Sequence, residues 1–416
     1  MELNSIVALD LGSSQIKVVV GRPLKDDFIE IIGQGTSVCD VIKGGAVTNI
    51  ETTVRSIREA IDKAELMAGL EIREVVVNLS GKTIRAGNHK TTVAIPSREK
   101  VVREEDINRV IEAILSITPI PPDQEIVHVL TKEFSVDDQT NIKTPLGMTG
   151  LRLEGEAHIV TVGSTSKNNL EKCIKNANLE LYDMILSSFA SSEAVLTSSE
   201  KELGTAVVDI GSGITDIVIY KDGGVAYSSV VPIGGSNITK DLSIGLKTSP
   251  DAAEMIKKEF GQATRKGIDP TEKIEIPPLN GRPSMIILKQ DLIRIIEARV
   301  EEIFEYVNQE LEKSGIKSSL SGGVILTGGS SKIPGIETVA SEILGLSVIR
   351  AKPTQLAGLF EQVASPEYST AVGLIKYIAR SPDFDSEYED TNRYSSAGHR
   401  GGNIKDKVIG WIKDNL

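Results

Sequence analysis

Apolar and polar residues along this chain fall into blocks whose period changes, and the first blocks are strand-like. Residues 5–11 and 15–20 are two apolar runs around a small-residue turn, and Ile16, Val18, Val19 and Val20 are β-branched, so they predict two strands of a hairpin. A third strand is expected near 28–35, after the turn from Pro23 to Asp27. Over 50–68 the period lengthens: Val54, Ile57, Ile61 and Ala64 recur at helical spacing, and VVVNLS at 75–80 returns to strand. Strands followed by alternating helix and strand predict an α/β unit.

From about residue 83 the texture changes. Strand patterns (TTVAIP, VHVLTKEFSVDD, EGEAHIVTVG) surround one helical stretch, in which Ile107, Val110, Ile111 and Ile114 make an apolar stripe and Glu104, Glu105 and Asp106 sit in the first turn, where acids suit the helix dipole. This predicts a small α+β module inserted over 83–162. At 205–231 three further strands are joined by a GSG turn and a KDGG turn. Helices are expected at 236–246, 250–260 and 290–313, the last with Leu292, Ile295, Ile296, Arg299, Ile303 and Val307 in register. VILTGGSSKIPGIETVASEIL at 324–344 reads as strand, glycine turn and helix, with Pro334 near the helix start, and 366–379 as a final helix. Residues 381–402 mix acids, Ser and Gly with few aliphatics and predict a flexible linker. In NIKDKVIGWIKDNL, which ends the chain, Ile404, Val408, Trp411, Ile412 and Leu416 fall on one half of a helical wheel, opposite Asp406, Lys407, Lys413 and Asp414.

A length of 416 residues exceeds one ordinary core, so two or three packed units are expected. The net charge of -12 argues against a phosphate-backbone surface, and nucleic acid is not an expected partner. Cys39 and Cys173, far apart in sequence, support neither a disulfide framework nor a cysteine-based zinc site. No basic-then-apolar leader and no apolar run of about 18 residues is present, which predicts a cytoplasmic body that does not span a membrane.

The candidate chemistry lies in a repeat. VALDLGSSQIKVVV from Val7 and VVDIGSGITDIVIY from Val207 share one pattern: apolar run, Asp, small-residue turn, apolar run. A Gly/Ser turn presents several backbone N–H groups and a hydroxyl to one point, which suits phosphate oxygens. Either hairpin alone is commonly only a hairpin. Two of them, joined by the glycine loop LTGGSSKIPG at 326–335, predict one nucleotide cleft. Asp10 and Asp209 would then converge on the Mg²⁺ that accompanies a polyphosphate, mostly through coordinated water, and Lys17 would neutralise phosphate charge. Neither GxxxxGK[ST] nor a strand-GxGxxG-helix unit is present, so the cleft is of another design.

Two DxG hairpins in separate halves with a GG adenosine loop resemble the actin, heat-shock chaperone and sugar kinase superfamily. Over essentially its full length the chain is similar to the FtsA family of bacterial cell-division proteins, through DLGSSQIKVVV, the insert from SGKTIRAGNHKTTVAIP to PLGMTGLRLEGEAHIVT, DIGSGITDIVIY, PIGGSNITKDLSIGLKTSPDAAEMIKKEFG, ILTGGSSKIPG and the terminal amphipathic helix. The resemblance implies an α/β, actin-like (ribonuclease H-like, duplicated) two-lobed nucleotide-binding fold with an inserted α+β subdomain. The expected divisions are a first lobe at 1–82 with 163–200 and 366–380, the insert at 83–162, a second lobe at 201–245 with 301–365, its small subdomain at 246–300, the linker at 381–402 and the terminal helix at 403–416. ATP and Mg²⁺ are the implied cofactors. Gly12, Ser13, Ser14, Lys17, Gly211, Ser212 and Gly213 would meet the phosphates, Gly328, Gly329 and Ser330 the adenosine, and Glu254 with Lys257 would bracket ribose and base. The bland reading of that last pair is a surface i,i+3 contact. Several relatives begin the helix connecting the halves with a Glu or Gln that orients the attacking water. In ILSSFASSEAVL the aligned position is Ser187, and Glu193 further along is expected to be structural. Serine cannot serve as a carboxylate base, so tight binding with slow or absent hydrolysis is expected.

The resemblance also implies a scaffold that polymerises with itself through the insert, binds the C-terminal peptide of the tubulin-like FtsZ on the 246–300 subdomain, recruits later division proteins, and works at the cytoplasmic face of the cell membrane at the division site. For the last helix, lipid competes with packing onto the body or into a partner groove. Trp411 among Ile and Lys favours a bilayer interface. Three lysines against two aspartates leave its side chains near +1, so burial of Ile404, Val408, Ile409, Trp411, Ile412 and Leu416 must supply most of the affinity, a gross ~10 kcal/mol before ordering costs. A linker of 22 residues reaches ~25 Å as a random coil. The alternatives are a pilus-assembly scaffold of the same type, a sugar kinase, which gives no reason for the terminal helix, and a chaperone ATPase, for which no substrate domain follows the core.

Overall fold

Two sheets of the same topology carry the chain, and burial on both faces of their first strands explains their sequence. The computed structural model describes residues 5–276 and 284–381. The expected linker from 382 onward and the terminal helix, with Ile404, Val408, Ile409, Trp411, Ile412 and Leu416, lie outside the described residues. All six residues of Ile6–Leu11 and all six of Thr205–Ile210 are buried, which is why each reads as a continuous apolar run rather than an alternation. Each pairs antiparallel with the next strand, Gln15–Pro23 or Thr215–Lys221, and that strand with a third, Ile29–Val38 or Gly224–Val231. On its other side each pairs in parallel with a later strand, Glu74–Leu79 in the first sheet and Val324–Thr327 in the second. Parallel edge strands follow, Glu180–Leu186 and Val348–Arg350, and the first sheet gains Leu356–Gly358 beside its third strand.

Helix Ile50–Ala68 packs on the first sheet with the expected Val54, Ile57, Ile61 and Ala64 buried, and Asn49 caps its start by accepting from the Thr52 amide at 3.0 Å, a contribution of about 1 kcal/mol. Helix Lys289–Lys313 covers the second. Its stripe departs from expectation at Arg299, which is spent on Asp241 at 2.5 Å and on Glu302 rather than in the apolar core. The insert forms a four-stranded sheet, ordered Arg85–Ala94, Arg152–Gly163, Gln124–Val136, Gln139–Ile142, under the helix Glu104–Ile117, whose Ile107, Val110, Ile111 and Ile114 make its core.

Two helices cross between the lobes, Ser187–Val195 and Ser369–Ala379. Every residue of the first is buried, so it has no polar face and gave no helical period. They pack so closely that a Cβ on Gly373 would stand 1.7 Å from the Ala190 carbonyl oxygen. The expected helix over 366–379 is divided: Pro366–Tyr368 is a single 3₁₀ turn and the α-helix begins at Ser369. Among the described residues no helix is long and apolar enough to cross a membrane.

Candidate functional site

Both hairpin turns open into one cleft between the lobes, a cavity of about 1180 Å³. The fourteen residues expected there all line it: Asp10, Gly12, Ser13, Ser14 and Lys17 from the first hairpin, Asp209, Gly211, Ser212 and Gly213 from the second, Glu254 and Lys257 from helix Pro250–Phe260, and Gly328, Gly329 and Ser330 from the third loop. The two turns face one another closely, since a Cβ on Gly213 would lie 2.8 Å from Ser13 Oγ. Backbone amides and hydroxyls from both lobes thus converge on one space.

The register sets the charges. Asp10 stands opposite Lys17 in the first hairpin, and the ammonium donates to Asp10 Oδ2 at 3.2 Å, both side chains nearly buried. Burial alone would lower the Lys17 pKa, but the charge and hydrogen bond of Asp10 outweigh it and leave it raised. In the second hairpin Asp209 stands opposite Asp216. Burial, and then the charge of Asp10, push Asp209 up to about 6, although Thr370 Oγ1 donates to it at 3.1 Å. Burial and the charge of Asp209 push Asp216 up to about 8, while the Ser80 hydroxyl from the first lobe donates to it across the cleft.

The third loop passes close behind Asp209. Gly328 has φ of 84°, and a Cβ there would meet Asp209 Oδ1 at 2.2 Å and the Ile210 carbonyl at 2.7 Å, so only glycine fits. Ser330 Oγ donates to the Gly211 carbonyl at 2.9 Å, joining this loop to the second turn. A 3₁₀ turn, Gly329–Lys332, starts at the second glycine and precedes the helix Ile336–Leu344, so the glycines do not open that helix directly. Lys257 Nζ pairs with Glu254 Oε2 at 2.6 Å and donates to Thr239 Oγ1 at 2.9 Å. Burial lowers the Lys257 pKa with only partial relief from Glu254, while Glu254, despite its own burial, is held low by that ammonium.

Ser187, at the start of the crossing helix, also lines the cleft. Its hydroxyl donates to the Leu79 carbonyl at 3.3 Å and accepts from Asn78 Nδ2 at 3.1 Å, and Asn78 Oδ1 accepts the Leu11 amide at 2.7 Å. Glu193 pairs with Lys201 at 2.5 Å and with Arg380. Asn78, Ser80, Asp216 and Thr370 were not anticipated. Asp216 was within reach of counting, because a four-residue turn over 211–214 puts 209 opposite 216. Asn78 is the lone polar residue in a buried strand run, VVVNL, a pattern that marks a functional or network residue.

Residues 206–373 match the family model described as cell division protein FtsA, and residues 81–161 the model described as the SHS2 domain inserted in FtsA. The chain is 41% identical over 412 residues to the cell division protein FtsA of Neisseria meningitidis and 38% identical over 412 residues to that of Pseudomonas aeruginosa, in each case across 99% of this chain and 98% of the relative. Among solved structures it is similar to a PilM-PilN type IV pilus biogenesis complex (TM-score 0.63, 17% identity, 90% of this chain and 98% of that one). It is also similar to MreB5 of Spiroplasma citri bound to ADP (TM-score 0.57, 12% identity, 94% of this chain and 100% of that one). The fold is the actin-like, duplicated α/β fold with an inserted α+β subdomain.

Proposed function

The chain belongs to the FtsA family of cell division proteins and acts in cell division, and from that premise we propose that it is a membrane-tethered, ATP-binding scaffold. It anchors FtsZ through that protein's C-terminal peptide to the cytoplasmic face of the bacterial cell membrane at the division site, polymerises through the inserted subdomain, and recruits later division proteins. One observation carries the nucleotide part of this reading: fourteen residues chosen from four separate segments line a single cavity.

The donor set suits a magnesium-bound triphosphate. Three carboxylates, Asp10, Asp209 and Asp216, crowd one cleft where Lys17 is paired with only the first of them, and a divalent cation relieves that repulsion. Asp10 and Asp209 would hold Mg²⁺, which keeps waters and takes few protein carboxylates. When bound, the ion would neutralise phosphate charge. The Gly and Ser amides of both turns bind the phosphate oxygens, Lys17 offsets their charge, and Glu254 with Lys257 flanks the ribose and base. Ser187 already gives its proton to the Leu79 carbonyl and has no basicity to spare, so binding with slow or absent hydrolysis follows.

Attachment rests on the apolar half of the 403–416 wheel and on its Trp411. Three measurements on the full chain test the reading separately: calorimetric ATP binding with and without Mg²⁺, sedimentation with vesicles before and after removal of 403–416, and capture by the FtsZ C-terminal peptide. Failure to bind ATP with Mg²⁺ would end the cleft assignment, undiminished vesicle binding by the truncated chain the tether, and absence of peptide capture the FtsZ role.

A further inference from the structure

The insert is gripped by both lobes, although it interrupts only the first. On the side of its own lobe, Val160 near the end of strand Arg152–Gly163 belongs to one buried cluster with Phe189 and Ala190 of the first crossing helix and Ile375 of the second. His128, from the strand beside it, accepts the Leu186 amide at 3.0 Å and stacks edge-on against Phe189. The same buried cluster includes Val218, Tyr220 and Val225 of the second lobe.

The second lobe grips it through polar groups. Asn88 and His158 are cross-strand partners in the insert, and His158 is only 1% exposed. Asn88 Nδ2 donates to the Ala226 carbonyl at 2.9 Å, which turns its Oδ1 toward His158 Nδ1 at 2.6 Å. An amide oxygen only accepts, so Nδ1 carries the ring proton and Nε2 accepts from the Ser228 hydroxyl at 2.8 Å. Burial first, and then the charges of Lys132, His128 and His89, hold the His158 pKa down near 4, so the ring is neutral and both nitrogens are satisfied. In the turn that leads into strand Gly224–Val231, the Asp222 carbonyl accepts from the Lys143 ammonium of the insert. Ala226 and Ser228 lie on strand Gly224–Val231, which is paired along its length with Thr215–Lys221, the second strand of the second hairpin. One strand therefore carries Asp216 into the cleft and is hydrogen-bonded, Val218 opposite Ser228, to the strand that holds the insert.

We propose that the seam between the insert and strand Gly224–Val231 couples the insert to the nucleotide cleft, with His158 as its positioning residue. The proposal rests on the cleft binding nucleotide. When the cleft fills, the second hairpin shifts against the first, and the paired strand carries that shift to the knot. Breaking the knot strands a nitrogen of the buried His158 ring and the buried Ser228 hydroxyl without partners, so the seam has a made state and a broken state with little between. Coupling of this kind is reciprocal: a partner that binds the insert and strains the seam changes nucleotide affinity by the factor that nucleotide changes the partner's.

The test measures release of a fluorescent ATP analogue with Mg²⁺ from the full-length protein, together with amide exchange over 85–94 and 224–231 with and without ATP. Ser228→Ala removes one bond across the seam, and His158→Phe removes the ring's polar bonds while keeping a ring. Release is expected to quicken about 5-fold or more in both, with His158→Gln restoring part of the wild-type rate, and ATP is expected to alter exchange at the seam in the wild type. Wild-type release from Ser228→Ala and His158→Phe proteins that still melt cooperatively, or seam exchange indifferent to ATP, would overturn the coupling while leaving nucleotide binding intact. A wild-type chain that binds no ATP would overturn both.

Discussion

The first and second hairpins share a backbone register and differ in what stands opposite the aspartate. Asp10 faces Lys17 and is bonded to it, whereas Asp209 faces a second acid, Asp216. Duplication has kept the strand topology without keeping the electrostatics. The first half closes on a neutral pair, and the second half holds a surplus of buried acid that a proton, Ser80 and Thr370 moderate. A cation with phosphates would be drawn to the side that is short of positive charge, with Asp10 swinging from its lysine toward that cation. The cleft is thus poised between two ways of balancing the same acids.

Removing the lysine should have the largest effect. Lys17→Met leaves Asp10 buried without a partner, and loss of one member of a buried pair costs about 3 kcal/mol or more. Urea unfolding of the nucleotide-free protein should register that loss, with ATP affinity falling as well; a midpoint unchanged from wild type would mean the first hairpin does not depend on its ion pair. Because Lys17 is raised above its ordinary 10.5, the stability it contributes is fully present below that pH and is lost as pH rises through its folded value.

Removing a charge from the second hairpin should change stability in the opposite direction, although its pH dependence has the same sign. Asp209 at about 6 and Asp216 at about 8 lie above the ordinary 3.8 for aspartate, so the folded state holds protons that the unfolded chain has released. Stability should therefore fall as pH rises from about 4 to 8, by up to about 1.4 kcal/mol per pH unit while one proton separates the states. Asp216→Asn keeps the size and removes the charge. It should flatten that slope above pH 6 in metal-free protein and raise the midpoint at pH 7.5, while the same experiment on Lys17→Met leaves the slope in place. Equal slopes in wild type and Asp216→Asn would show that the acid surplus is not there.

A smaller effect is expected where the third loop crowds Asp209. Gly328→Ala combines a left-handed backbone with a Cβ driven into Asp209 Oδ1, a strain of about 1–3 kcal/mol. Among the described residues no glycine crowds Asp10 in this way, so the substitution should lower ATP affinity by displacing Asp209 while Lys17 and Asp10 keep their bond. An unaltered affinity would place the third glycine loop outside the cleft's working geometry.

The strand topology and the cleft were legible because their signals are local. The Asp-turn pattern is complete within fourteen residues, and its repetition identifies the partner lobe without any knowledge of packing. The helix Ile50–Ala68 and the helix Glu104–Ile117 were legible through one buried stripe each. The crossing helix Ser187–Val195 was not, since burial on every side erases the period that reveals a helix, and it was found only as the stretch aligned with relatives. Arg299 falls in an apolar stripe by spacing alone, because spacing reports a face and not the Asp241 that neutralises it. Ser80 and Thr370 carry no motif: they matter through contacts with Asp216 and Asp209 over sequence separations of 136 and 161 residues, which no periodicity encodes. The seam at His158 is hidden for the same reason, its partners Asn88 and Ser228 each lying 70 residues away.

Ser187→Ala should give the smallest change, and its smallness is informative. The hydroxyl links the first hairpin to the crossing helix through Asn78, which in turn fixes the Leu11 amide. Removing it leaves Asn78 Nδ2 and the Leu79 carbonyl each short of one partner, a cost of about 1 kcal/mol. If Ser187 took part in activating water, the substitution would lower whatever ATP turnover the protein has by far more than it lowers stability. Its hydroxyl is instead committed to the backbone, so single-turnover hydrolysis should match wild type while the urea midpoint drops slightly. Asymmetry between the halves then extends to their supports: Asp209 is steadied by a hydroxyl that touches it directly, Thr370, whereas the serine behind the first hairpin acts only through an asparagine. A tenfold loss of turnover in Ser187→Ala would reverse that assignment and make the serine part of the chemistry.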